Sequence, residues 1–161
     1  MNIGKFGEAK MAQTLGKMAE VEDKVDFTKP SFTNAPDNGV DFELQCPHNY
    51  TEKLDEIIED GNSEQKLSTI NIKVRIDHKE YNTRKIGKAI AEKFVKDCNK
   101  NDEDYDEHWI TGGKGLTKGA EKVLEEANKD YVVRHYAKEE INKIDNFYTN
   151  EIENSNDNEI D

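Results

Sequence analysis

The sequence has few cysteines and no long apolar run, and each shortage excludes a class of protein. Its two cysteines, Cys46 and Cys98, lie far apart in the chain and do not form a disulfide framework. Cys46-Pro47-His48 brings two types of zinc ligand together, but no second pair follows, so we interpret this segment as a loop. No apolar segment has the length of a membrane span, and the N-terminal residues lack the core of a signal peptide. We therefore expect a cytoplasmic protein with reduced thiols.

Positive charge is also scarce, since 23 Lys and Arg residues face 35 Asp and Glu residues and give a net charge of −12. This balance argues against a protein that coats nucleic acid without specificity. The charge is unevenly distributed, however, because residues 64–90 contain seven basic residues and three acidic ones. Residues 150–161 contain five acidic residues and no basic one, and we expect this tail to be disordered. Residues 1–149 are then a single domain with a modest core.

Two segments alternate between apolar and polar residues and predict neighbouring strands. In residues 69–76, isoleucine and valine occupy every second position, with Asn71, Lys73 and Arg75 between them. Strict alternation is typical of a strand that is buried on one face. Residues 40–46 alternate in the same way and carry Asp41 and Glu43 on their polar face. If the two strands pair, an acidic row of side chains lies beside a basic row, which is an arrangement that can hold a metal ion next to a phosphate group.

The spacing of apolar residues predicts the other elements. Helices are expected at residues 2–20, 83–98 and 138–147 and from Thr117 onward, with further strands at 21–27, 108–111 and 130–136. Residues 47–66 are predicted to be a polar insertion with a short helix near Leu54, Ile57 and Ile58. The order α-β-β-β-α-β-α-β-α predicts an α/β protein with a central mixed sheet between two layers of helices.

Two details of these elements bear on function. Glu8 shares the helical stripe of Met11 and Leu15, so its side chain is expected to point roughly inward. Residues 112–115, Gly-Gly-Lys-Gly, precede Thr117, which is a suitable N-cap residue. This loop lacks the spacing of a Walker motif and is interpreted as a tight connector, although amides before a helix can also bind a phosphate.

Four pieces of the sequence together resemble the PD-(D/E)XK nuclease superfamily, nearest to its Mrr-type endonucleases and archaeal Holliday-junction resolvases. Gly7-Glu8 resembles the helix-borne glutamate, and Gly39-Val40-Asp41 resembles the strand that supplies the central metal-binding acid. Asn71-Ile72-Lys73 stands at the place of the acid-x-lysine element, with Asn where the family has Glu, Asp or Gln. Residues 109–120 resemble the strand, loop and helix that follow in Mrr-type enzymes. The resemblance implies a restriction endonuclease-like three-layer α-β-α fold.

The resemblance also implies metal-assisted hydrolysis of DNA phosphodiester bonds. Asp41, Asn71, Glu8 and Glu43 would then be the candidate ligands of Mg²⁺ or Mn²⁺, whose ligands are oxygen atoms. Lys73 would orient the attacking water and stabilise the transition state. Candidate DNA-binding residues are Arg75, Lys79, Arg84, Lys85, Lys114 and Lys118.

Each of these residues also has a simpler interpretation. Asp41 can be an acid at the start of a strand, Lys73 and Arg75 can be solvated charges of an edge strand, and Glu8 can be a helix acid. Asp37, in the literal Pro36-Asp37, is interpreted as a turn residue.

Two rival functions follow from the sequence. Asn71 favours a nuclease-like protein that has lost catalysis and acts as a DNA-binding or protein-interaction module. The net charge favours an acidic inhibitor of a DNA-binding enzyme. No separate specificity domain is visible, so target choice would come from DNA structure, a loop, a homodimer or a protein partner.

Overall fold

The computed structural model describes residues 3–30 and 39–158. In this part of the chain it forms five helices and five strands. They are α1 (Ile3–Val21), β1 (Asp26–Thr28), β2 (Phe42–Pro47), α2 (Tyr50–Asp60), β3 (Asn71–Lys79), α3 (Lys88–Asn101), β4 (Glu107–Gly112), α4 (Lys118–Ala127), β5 (Val133–Tyr136) and α5 (Lys138–Asn158).

The five strands form one mixed sheet in the order β1-β2-β3-β4-β5. The first three strands are antiparallel neighbours, and the two predicted alternating segments pair directly as β2 and β3. β4 and β5 run parallel to β3 and are reached through α3 and α4, because a parallel neighbour needs a crossover connection. β3 is therefore the central strand, and the sheet changes from antiparallel to parallel pairing there.

Each face of the sheet is covered by its own apolar cluster. On one face the core contains Leu15 of α1, Leu54 of α2 and Tyr148 of α5, packed with Phe42 and Val74 of the sheet. On the other face α3 and α4 pack over β4 and β5 through a second cluster, whose members include Phe94, Ile110 and Leu124. The architecture is an α/β fold with helices on both sides of a mixed sheet, as predicted.

Several sequence predictions are confirmed at the level of single elements. Met11, Leu15 and Met18 are buried and form the predicted stripe of α1. Thr117 is the N-cap of α4, because its hydroxyl oxygen accepts a hydrogen bond of 3.2 Å from the backbone N–H of Ala120. The loop after β4 is attached to the loop after β3, because the N–H of Ile86 donates to the carbonyl of Gly115 at 2.9 Å.

Other predictions are corrected. The strand expected at residues 21–27 is confined to β1, because α1 continues to Val21. Residues 47–66 are not simply a polar insertion, since α2 buries Tyr50, Leu54 and Ile57 in the core beside α5. The predicted helix near Leu54, Ile57 and Ile58 is confirmed.

The prediction of a disordered acidic tail is also wrong, because α5 continues through residues 150–158 and does not end at Phe147. Ile144 and Tyr148 dock the preceding turns in the core. Once those turns are fixed, each added helical residue gains a backbone hydrogen bond without a new nucleation step. Residues 159–161 and Asp37 lie outside the described residues.

In the described ranges 3–30 and 39–158, none of the helices has both the length and the apolar character needed to cross a bilayer.

Candidate functional site

The pairing register of β2 and β3 decides which polar side chains meet. Lys73 lies opposite Gln45, and Asn71 lies opposite Pro47. The backbone N–H of Asp41 donates to the carbonyl of Ile76 at 2.9 Å, so Asp41 lies at the other end of β3. With about 3.3 Å of rise per residue, the six positions between Asp41 and Pro47 correspond to about 20 Å. The structure therefore separates Asp41 from Asn71.

Asp41 instead lies beside the last three residues of β3, Asp77-His78-Lys79. The side chains of Glu8, Asp41, Asp77 and Lys79 line one cavity of about 320 Å³. Asp77 and Lys79 have the acid-x-lysine spacing, and β-strand alternation puts both on the same face of the sheet. Asp41 and Glu8 of α1 thus line the same cavity, and the acid and the lysine beside them are Asp77 and Lys79 rather than Asn71 and Lys73.

The polar residues that we expected to join Asp41 make other contacts. The side-chain amide of Asn71 donates to the carbonyl of Lys24 at 3.2 Å, and its residue is exposed. The Lys73 ammonium lies 3.4 Å from the Glu43 carboxylate. This ion pair confirms that an acidic and a basic row face the same side, but it lies outside the cavity that Asp41 lines.

Asp77, near the C-terminal end of β3, is a nearly fully buried acid. Its carboxylate lies 3.1 Å from the Lys79 ammonium. Burial raises the pKa of Asp77, and the Lys79 and Arg75 charges only partly oppose that effect. Burial lowers the pKa of Lys79, but the carboxylates of Asp77 and Asp41 more than compensate, so the pKa of Lys79 is raised and its ammonium stays charged. The Asp77 carboxylate is thus paired with a lysine that keeps its charge.

The carboxylates of Asp41 and Glu8 are each fixed by a hydrogen bond. The backbone N–H of His78 donates to Oδ2 of Asp41 at 2.7 Å, which holds this carboxylate at the end of β3. Oε2 of Glu8 accepts a hydrogen bond of 2.7 Å from the Lys29 ammonium. Both carboxylates therefore have defined positions at the cavity.

A fourth acid, Asp97 of α3, also lines the cavity, and sequence reasoning missed it. It is 1% exposed, and its two oxygens accept hydrogen bonds of 3.0 and 2.9 Å from the Lys93 ammonium. A methyl group at Gly39, whose φ is +78°, would lie 2.6 Å from Oδ2 of Asp97. Only glycine lets the chain pass this close to α3 in a left-handed conformation just before Asp41.

Arg75 is not a DNA-binding residue, because its side chain is completely buried. α3 covers it, and its guanidinium donates to the carbonyls of Gly39 and Phe94 and to Nδ1 of His108. Its hydrogen bond to Gly39, at 2.8 Å, fixes the backbone two residues before Asp41. Arg75 thus supports the site from inside the protein and does not contact solvent.

The other candidate DNA-binding residues fall into two groups. Lys79 belongs to the cavity described above. Arg84, Lys85 and Lys114 are exposed and belong to the loops that follow β3 and β4, and Lys118 is the exposed first residue of α4. These loops are joined, since the N–H of Lys114 donates to the carbonyl of Arg84 at 3.0 Å.

We call the exposed side chains of Arg84, Lys85, Lys88, Lys114 and Lys118 the basic edge. Because β3 and β4 are parallel, their C-terminal ends lie at the same edge of the sheet, where Lys79 ends β3. Residues 81–91 and 108–120 contain no Asp or Glu, in a chain with a net charge of −12. The edge of the sheet next to the cavity is therefore locally positive.

The chemistry of the cavity fits a divalent cation with oxygen ligands. Four carboxylates, those of Glu8, Asp41, Asp77 and Asp97, face two lysines, and Mg²⁺ and Mn²⁺ prefer carboxylate oxygens. Within residues 3–30 and 39–158, no three Asp, Glu, His or Cys side chains are already close enough together to be a set of metal ligands. The Lys79 ammonium contacts Asp77 directly, so a metal ion would have to compete with it there.

One signal in the sequence could have identified Asp77 and Lys79. The apolar alternation ends at Ile76 because His78 replaces the next aliphatic residue, and so the strand was predicted to stop there. On the polar face, however, the alternation continues through Asp77 and Lys79. The His78 side chain lies on the opposite face, where its ring contacts Thr111 and Glu80.

Comparison of the chain with models of protein families, with curated proteins and with solved structures found no match.

Proposed function

We propose that this protein is a metal-dependent DNA endonuclease whose site consists of Glu8, Asp41, Asp77 and Lys79. The observation that carries the proposal is the cavity that these four side chains line together. An acid on one strand, an acid-x-lysine element on its neighbour and a glutamate from the first helix form the set that the resemblance to the PD-(D/E)XK superfamily implies. Asp77 supplies the negative charge that Asn71 could not.

The antiparallel meander β1-β2-β3, followed by parallel strands across helical connections, is compatible with the restriction endonuclease-like fold. We propose that the chain has this fold, because its elements follow the same order and its acids lie at the end of β3.

Each side chain has a defined task in the proposed reaction. Asp41 and Asp77 would hold Mg²⁺ or Mn²⁺ with carboxylate oxygens, and Glu8 would complete the set from α1. When bound, the metal ion would lower the pKa of a nearby water and offset negative charge on the phosphate. Lys79, kept protonated by Asp77 and Asp41, would donate a hydrogen bond to the attacking water or the phosphate and stabilise charge in the transition state.

The basic edge gives the DNA a place to bind despite the net negative charge. Its five side chains would contact phosphates on one side of the cavity, and such contacts position a duplex without reading its sequence. The acids elsewhere would repel DNA, which restricts productive binding to this edge. We further predict that target choice comes from DNA structure or from a loop, from a homodimer, or from a partner protein that provides specificity.

The test is cleavage of linear, supercoiled, single-stranded and branched DNA with Mg²⁺ or Mn²⁺, and with a chelator as the negative control. We expect metal-dependent nicking or cutting, and we expect Asp41→Asn to abolish it while the circular dichroism spectrum is unchanged. Asp60→Asn, at the exposed end of α2, is the matched control and is expected to cleave like the wild type. Absence of cleavage of all four substrates by the wild type would contradict the proposal.

A catalytically inactive DNA-binding module is the second candidate. The contact between Lys79 and Asp77 favours it, because an internal lysine can satisfy a buried acid without a metal ion. Such a module would bind DNA equally well with and without a chelator and would cut none. An acidic inhibitor of a DNA-binding enzyme, by contrast, would bind neither heparin nor duplex DNA.

A further inference from the structure

The position of Glu8 at the cavity depends on how the first turns of α1 are held against the sheet. The residue before it, Gly7, faces the chain just after β3 and is buried. An ideal Cβ atom built on Gly7 would overlap the carboxylate and the Cγ atom of Glu80. The Glu80 side chain therefore lies directly against the backbone of α1, at a place where only glycine leaves room for it.

Glu80 is itself fixed to the two central strands. Its Oε2 atom lies 2.9 Å from Nε2 of His78, and Nδ1 of that histidine lies 2.8 Å from Oγ1 of Thr111 on β4. The side chain of His78 is 7% exposed and that of Glu80 is 14% exposed. A chain of contacts thus runs from β4 through β3 and Glu80 to the helix turn that carries Glu8.

At the C-terminal end of β3, the side chains on its two faces have different roles. Asp77 and Lys79 point into the cavity, while His78 points to the opposite face and holds Glu80. Gly7 and Glu8 are consecutive on α1, so a shift of the helix at Gly7 moves Glu8 by a similar distance. Sites of this kind tolerate little displacement, because a metal ligand must be held within a fraction of an ångström.

We propose that Glu80, anchored by His78 and packed on Gly7, is a positioning residue that sets the place of Glu8 at the cavity. This inference rests on the proposed function, because it gives Glu8 a task in metal binding. Glu80 is not among the residues that line the cavity, and it acts only through the helix. Nothing in the resemblance described above assigns a role to Glu80 or His78.

The experiment measures the Mn²⁺ concentration for half-maximal DNA cleavage and, separately, DNA affinity in the presence of a chelator. Gly7→Ala is the main variant, and Gly16→Ala is its control on the same helix. Both substitutions raise helix propensity equally, but a Cβ atom at Gly16 would only reach an ordinary contact of 3.9 Å with Phe27. We expect Gly7→Ala to raise the half-maximal Mn²⁺ concentration about tenfold, with unchanged DNA affinity, and Gly16→Ala to have no such effect.

Glu80→Ala and Glu80→Gln avoid any added bulk and test the same contact if Gly7→Ala does not fold. Glu80→Gln keeps the length of the side chain and an oxygen for His78, so it is expected to restore most of the Mn²⁺ dependence that Glu80→Ala loses. In a Glu8→Gln background, neither Gly7→Ala nor Glu80→Ala is expected to change the Mn²⁺ dependence further. A purely structural role would instead produce the same change in both backgrounds.

The failures are distinguishable. If the wild type shows no metal-dependent cleavage, the proposed function is overturned and this inference with it. If the wild type cleaves but Gly7→Ala behaves like Gly16→Ala, or if the effects persist in the Glu8→Gln background, only the positioning role is overturned.

Discussion

At the scale of single residues, two lysines on the same face of β3 have different surroundings. The ammonium of Lys79 lies in the cavity, 3.1 Å from the Asp77 carboxylate, whereas Lys73 pairs with Glu43 at 3.4 Å near the other end of the strand. Lys73 is about half exposed, and an exposed ion pair contributes little free energy. The two lysines therefore make a matched pair of substitutions.

Lys79→Ala is expected to lower the rate of cleavage about 100-fold or more, because it removes the cation that stabilises the transition state. Lys73→Ala is expected to leave the rate within about twofold, since it changes only a surface ion pair. Single-turnover cleavage at saturating metal ion is the measurement. A larger loss for Lys73→Ala than for Lys79→Ala would show that Lys73 is the catalytic lysine, as the sequence predicted.

At the scale of elements, the strand β3 shows how far sequence reasoning can reach. The alternation of residues 69–76 correctly predicted a strand and its pairing with β2, but α3 also buries the polar face of this strand at Arg75 and Asp77. The prediction stopped at Ile76 because His78 occupies an apolar-face position, and its reason for being there is the contact with Thr111 and Glu80, which is tertiary. Asp97 and the burial of Arg75 were equally hidden, since both depend on α3 crossing the opposite face of the sheet.

Where α3 crosses the sheet, the buried guanidinium of Arg75 lies beside His108 of β4. The free energy of unfolding is therefore expected to depend on pH. Burial, and then the Arg75 charge, lowers the pKa of His108 to about 4. In the unfolded chain its pKa is near the ordinary value of about 6.5. The unfolded state therefore takes up a proton between these values while the folded state does not, and the free energy of unfolding falls as the pH falls.

We expect His108 alone to lower the free energy of unfolding by about 3 kcal/mol as the pH falls from about 6.5 to about 4. His108→Asn keeps an acceptor for Arg75 but does not titrate, so its stability is expected to depend less on pH over this range. Urea unfolding of both proteins at several pH values measures the difference. Parallel curves for wild type and variant would show that His108 is not held neutral by the fold.

At the scale of the whole molecule, the distribution of charge matters more than its sum. The chain carries a net charge of −12, yet its basic residues 84, 85, 88, 114 and 118 gather at the edge of the sheet that carries the cavity. They come from two separate segments of the sequence, residues 84–88 and 114–118. The parallel pairing of β3 and β4 brings these residues to one edge of the sheet. The sequence alone indicated an excess of positive charge only within residues 64–90.

Lys114→Ala and Lys118→Ala are each expected to weaken DNA binding and to reduce the salt dependence of the binding constant by about one unit of slope. Lys129→Ala, beyond the far end of α4, is the control and is expected to leave the slope unchanged. Fluorescence anisotropy with a DNA duplex at several salt concentrations measures this slope. Equal effects of all three substitutions would indicate binding to the protein's general charge and not to the basic edge.

If the metal ion binds at Asp77 and not at Asn71, calorimetric titration with Mn²⁺ distinguishes the two positions. We expect wild type and Asn71→Ala to bind Mn²⁺ with the same affinity, and Asp77→Asn to lose this binding because a charged oxygen ligand is removed. Loss of binding in Asn71→Ala with retention in Asp77→Asn, or no binding by the wild type, would contradict this expectation.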